Sequence, residues 1–164
     1  MAPVNSTVGR LRSERGAELI EFALIFPLLL LVLLGIIDFG FLFQRYEVLT
    51  NATREGARMA VLPNYTQADI RGRVCEYLVT GGVPTTGCPG TTPTNPAVTL
   101  TDDEIPMGGT LAPLQVKRVQ LAYTHNFMFI GPIVGLMGGT WSNTKVITTE
   151  AVMRSEIQVI TPTP

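Results

Sequence analysis

The sequence predicts an α+β fold: a long N-terminal helix, membrane-spanning over its first half, packed through its second half on a small antiparallel sheet with a second helix. Three observations carry this. Residues 22–37 hold no charge and are mostly Leu, Ile and Phe. Residues 44–60 continue without proline and are largely good helix formers. Beyond residue 98, short stretches alternate apolar and polar side chains, as half-buried strands do.

The uncharged run of residues 22–37 alone covers about 24 Å as a helix. Apolar character resumes after Asp38, through Phe39, Phe41 and Phe43. Counted over residues 19–43, a helix reaches about 37 Å, enough to cross a ~30 Å hydrocarbon core. Phe39, Phe41, Phe43 and Tyr46 then suit an interfacial aromatic belt. Arg10, Arg12 and Arg15 precede the run with Glu14 the one acid among them, so the positive-inside rule puts the N-terminus in the cytoplasm. A cleavable secretory signal fits less well, because the run closes on Asp38-Phe39-Gly40 without a small-residue cleavage site. An uncut signal anchor is the stronger alternative.

Glu21 stands at the mouth of the apolar run, where a carboxylate is costly to desolvate. The partner favoured here is the α-amino group that a cut after Gly16 would release on Ala17. The alternative is a carboxylate resting at a helix N-terminus, held by the dipole.

Arg15-Gly16-Ala17-Glu18-Leu19-Ile20-Glu21-Phe22 resembles the processing region of type IV prepilins: a basic leader, a glycine before the cut, and a glutamate as fifth mature residue. Phe22-Ala23-Leu24, Pro27-Leu28-Leu29-Leu30, Gly35-Ile36-Ile37-Asp38-Phe39-Gly40 and Leu49-Thr50-Asn51-Ala52-Thr53-Arg54-Glu55-Gly56-Ala57-Arg58 narrow this. Together they resemble the TadE-like family, minor pilins or pseudopilins of tight-adherence (Flp-type) pilus systems. The resemblance covers about residues 16–60; beyond it, size and strand layout agree. It implies a basic leader, 1–16, removed by a prepilin peptidase, a pilin-like helix over 17–61, and an extracytoplasmic domain over 62–160. The expected place is the bacterial inner membrane, crossed once, with possible incorporation into a surface pilus. The expected partners are the membrane, other pilin subunits and the pilus assembly machinery; the expected role is assembly of a pilus that supports surface attachment. The alternative is an uncleaved membrane-anchored binding module.

Ala52, Gly56 and Ala60 recur every fourth residue and make one small-residue stripe, suited to packing within the domain or between subunits. Leu62-Pro63-Asn64 ends the long helix. Thr66 and Asp69 form a capping-box-like start for a second helix over 68–79, with Ile70, Val74, Tyr77 and Leu78 as its apolar face and Gly81-Gly82 as its stop. Residues 81–97, rich in Gly, Pro and Thr, read as loop. Strands follow at 98–100, at 119–124 and at 145–153, the last with Ile147, Ala151 and Met153 on one face. Leu114 and Val116 have the opposite parity to Val119, which predicts a bulge near Lys117-Arg118. Residues 132–137 read as a short apolar helix with Pro132 near its start, and 161–164 as a frayed tail.

Cys75 and Cys88 both follow the span, so an oxidising compartment would pair them as a disulfide closing the loop. A Cys/His nucleophile using the lone His125 is the sharper reading, but nothing in the sequence places the two together. Two cysteines and one histidine lack zinc-site spacing, so no metal is expected, and no cofactor. Asp102-Asp103-Glu104 is no EF-hand loop and reads as a solvated loop. Residues 126–133 are apolar enough to touch the membrane or a partner; burial against the sheet is the simpler expectation. A net charge of −1 without a basic patch gives no reason to expect nucleic acid. The chain carries no G-x-S-x-G and no P-loop, and reads as structural, not enzymatic.

Overall fold

The computed structural model describes residues 7–88, 93–108, 113–136, 138–140 and 142–155, with side chains from Gly16 onward. The element order is α1 (Thr7–Ala60), α2 (Gln67–Thr80), β1 (Ala97–Ile105), β2 (Leu114–Asn126), α3 (Ile130–Leu136) and β3 (Thr144–Arg154). The architecture is α+β, with a long apolar N-terminal helix, a second helix and a three-stranded antiparallel sheet. The expected tail at 161–164 lies outside the described residues, as does Met137.

Two compact units divide the chain. One holds the described residues up to Gly40 together with Met128–Asn143; the other holds Phe41–Phe127 and the chain from Thr144 on.

In the second unit, the last turns of α1 give way at Met59, whose carbonyl accepts the Leu62 N–H at 3.1 Å. Pro63 cannot continue a helix, and Asn64 takes a left-handed φ of 73° that asparagine tolerates better than most residues. Helix α2 opens with a full capping box: the Thr66 hydroxyl accepts the Asp69 N–H, and the Asp69 carboxylate accepts the Thr66 N–H. Its buried face is Ile70, Val74, Cys75 and Leu78. Tyr77, expected on that face, is 36% exposed, and the disulfide-forming Cys75 occupies the buried position instead. Gly81 closes the helix by donating to the Tyr77 carbonyl at 2.9 Å.

The strands lie in the order β1-β2-β3, each pair antiparallel. The register runs unbroken along β2 from Leu114 to Asn126 against both neighbours. The expected bulge at Lys117-Arg118 is therefore absent. Val116 and Val119 are both buried although, on a regular strand, they point to opposite faces of the sheet. Strand β1 extends well past the expected 98–100 and takes in Asp102-Asp103-Glu104, which is strand and not loop. Cross-strand partners explain this. Lys117 pairs with Asp102 at 2.6 Å, Arg118 with Asp103 at 2.6 Å, and the Gln115 amide donates to Glu104 at 2.5 Å. The core joins Leu49, Ala52 and Ala57 of α1, Val74 and Leu78 of α2, and Val119, Leu121, Tyr123 and Ile147 of the sheet. Burying one face of a sheet under two helices is what makes so short a sheet stable.

Candidate membrane and assembly site

Gly16 and Ala17 lie within α1, and Glu21 is exposed one turn further on. A β-carbon built on Gly16 would meet nothing within 4 Å. The fold of this chain therefore places no demand for glycine there. Past Glu21 the helix surface is bare hydrocarbon: Phe22, Leu24, Leu28, Leu29 and Ile36 are all exposed. The helix from Gly16 to Ala60 is long and apolar enough to cross a membrane, and its most apolar window is not buried by the rest of the chain.

One side chain in this stretch is different. Asp38 is 1% exposed. Its carboxylate accepts the backbone N–H groups of Met128 at 3.0 Å, Phe129 at 2.9 Å and Ile130 at 2.8 Å, all in the same compact unit. These are donors that precede or open α3, and a helix cannot satisfy its first amides internally. A carboxylate is the strongest acceptor available to them. The sequence showed Asp38 as the charge interrupting an apolar run. Its partners, 90 residues away, carried no local signal. Burial, the simpler expectation for this segment, is not observed from Met128 on. Met128 is 62% exposed, and α3 has no buried residue. Of that segment's neighbours, Phe127 alone is buried with the second unit.

In that second unit, Arg45 donates from Nη1 to His125 Nδ1 at 2.7 Å. A guanidinium has no acceptor, so Nδ1 accepts and the imidazole proton sits on Nε2. Phe127 meets the His125 ring edge-on at 5.0 Å, and Arg45 lies 6.0 Å over the Tyr123 ring. Burial pushes the Tyr123 hydroxyl above its ordinary pKa, with Arg45 opposing. The cluster ties α1 to β2. His125 has no thiol to activate, since Cys75 and Cys88 are joined in a disulfide with Cα atoms 5.4 Å apart.

The small-residue stripe packs inside the domain. Ala52 is buried, and a β-carbon on Gly56 would lie 2.7 Å from Val74 Cγ2 and 3.4 Å from Val119 Cγ1. Ala60 packs against the same core. Among the described residues, no group of three or more His, Cys, Asp or Glu side chains is placed to hold a metal ion.

A family model described as TadE-like protein matches residues 16–58, about a quarter of the chain. The match begins at Gly16 and includes Glu21, Asp38, Arg45 and Gly56. No curated protein and no solved structure matches the chain.

Proposed function

Since residues 16–58 match the TadE-like family, associated with tight-adherence pili, we propose that this chain is a minor pilin or pseudopilin, a structural subunit of pilus assembly. The observation that carries the reading is the position of the match: it starts at the glycine of the proposed cut and spans the proposed assembly carboxylate. A prepilin peptidase cuts between Gly16 and Ala17, removing the basic leader. That a β-carbon on Gly16 would meet nothing within 4 Å among the described residues supports this, because a requirement for glycine then comes from the enzyme that must approach the backbone.

The processed chain stays in the bacterial inner membrane through the span at about 19–43, with residues 62–160 on the extracytoplasmic side. Glu21 acts in assembly. At the membrane edge a carboxylate can reach water. Among packed helices that route is closed, and the new α-amino group of Ala17, on the same or a neighbouring chain, supplies the counter-charge. A neighbour docked out of register leaves a buried charge unpaired, so the pair selects axial register.

N-terminal sequencing of protein from the membrane fraction tests the cut. Mature chains beginning at Ala17 support the proposal; an intact leader supports the alternative, an uncleaved anchor presenting a binding domain. Gly16→Leu should abolish processing. Glu21→Ala should insert and fold normally yet fail to co-purify with assembled pili, and its normal incorporation would reduce Glu21 to a helix-end residue.

A further inference from the structure

We propose that residues 128–136 insert into the bilayer beside α1, in the leaflet at the C-terminal end of the span, with Asp38 as the clamp that permits insertion. The inference rests on the reading of α1 as a membrane span.

Depth is the first argument. Ile130 and Val134 of α3 line an apolar groove of about 550 Å³ together with Leu31, Gly35 and Phe39 of α1. At the helical rise, Phe39 and Leu31 lie about 6 and 18 Å inside the end of the apolar stretch at residue 43. A segment that packs at this level along a spanning helix lies at the depth of lipid chains.

Composition is the second. Residues 126–144 contain no charged side chain. Within residues 128–136 the exposed side chains are apolar: Met128 is 62% and Leu136 is 90% exposed. An exposed apolar surface continuous with a span calls for the solvent of that span.

Satisfaction of the backbone is the third, and the most specific. Non-helical backbone survives at membrane depth only when its polar groups find partners within the protein. The N–H groups of Met128, Phe129 and Ile130 all end on Asp38. At the other end, Gly138 donates to the Gly135 carbonyl at 3.1 Å and Gly139 to the Val134 carbonyl at 2.9 Å, with Gly138 at a φ of 78°. In water such donors need no carboxylate. In hydrocarbon both sides of the bond need it, because an unpaired Asp38 within the span is costly as well. The lining of the groove is left to lipid chains.

The test is spin-label accessibility on the full chain in phosphatidylethanolamine–phosphatidylglycerol vesicles. Labels go on single cysteines introduced by Leu136→Cys and, independently, Met128→Cys, with the Cys75–Cys88 disulfide intact. Leu29→Cys in the span and Tyr65→Cys, an exposed residue in the other unit, are the references. The expected result is that labels at 136 and 128 lose collisions with an aqueous nickel chelate and gain collisions with oxygen, as at 29 and unlike 65. If position 29 is lipid-exposed but 136 and 128 collide freely with the chelate, insertion is wrong while the span stands. If position 29 is also aqueous, the span itself is wrong. Shielding of 136 and 128 from both reagents would overturn lipid as the occupant in favour of a second copy or another protein.

Discussion

The carboxylate of Asp38 accepts the backbone N–H of Met128 at 3.0 Å, joining positions 90 residues apart. Phe129 and Ile130 share the same carboxylate, so one side chain seats the whole start of α3. Asp38→Ala orphans three amides, at about 1–3 kcal/mol for each donor left unpaired away from water. Hydrogen exchange at Met128, Phe129 and Ile130 should accelerate, with Asp38→Asn, which keeps one acceptor oxygen, falling between. Unchanged exchange in Asp38→Ala would show that the carboxylate does not hold the segment.

The buried hydroxyls of Thr53 and Thr149 meet at 2.7 Å, and Thr53 also donates to the Leu49 carbonyl at 2.7 Å. With its proton committed to Leu49, Thr53 accepts from Thr149. The two substitutions are therefore unequal. Thr53→Val strands the Thr149 donor and should cost about 1–3 kcal/mol. Thr149→Val leaves the Thr53–Leu49 bond intact and should cost less. Denaturant unfolding of both single variants and the double variant checks the order, and equal costs would reverse the assignment of donor and acceptor.

Gly56 and Gly72 make a contrast on two helices. Alanine at Gly56 puts a methyl 2.7 Å from Val74 in a filled core, a clash of the kind that costs about 1–3 kcal/mol and outweighs the gain in helix propensity. Alanine at Gly72 meets nothing within 4 Å and should stabilise by about 0.5–1 kcal/mol. Opposite shifts of the unfolding midpoint are expected, and a stabilising Gly56→Ala would show that Val74 yields.

Hydrogen bonds from the Thr66 hydroxyl and then its backbone N–H hold the Asp69 carboxyl below its ordinary pKa of 3.8. The folded carboxyl is thus more acidic than the unfolded one. Its contribution to stability is present above pH 3.8 and disappears as the pH falls through the lowered folded value. Protection of the first amides of α2 should fade in acid accordingly, and Asp69→Asn should remove that dependence. An identical acid profile in the variant would discount the cap.

What the sequence disclosed was what local physics controls. The end of α1 near Ala60, the Thr66–Asp69 cap, the glycine stop after α2 and the alternation of β2 and β3 all depend on residues a few positions apart. What it concealed depended on distant partners. Three consecutive acids argue against a strand until Lys117, Arg118 and Gln115 are set across from them. Asp38 reads as an interruption until the start of α3 arrives beneath it. Arg45 and His125 are 80 residues apart, and neither residue type announces the other. Gly16, Ala17 and Glu21 were legible as a spacing motif alone, and the role proposed for them depends on contacts outside the chain.

Among the described residues, β1 and β3 are the outer strands of the sheet, each paired with the central β2. Such edges invite another chain to continue the sheet. On β1 the invitation is withdrawn by Asp102, Asp103 and Glu104. Asp102 and Asp103 are already paired with Lys117 and Arg118, and a second copy's β1, which carries the same three acids and no cation, would offer them no new partner. Growth by strand addition at that border is disfavoured, and in the proposed assembly cohesion would fall to helices.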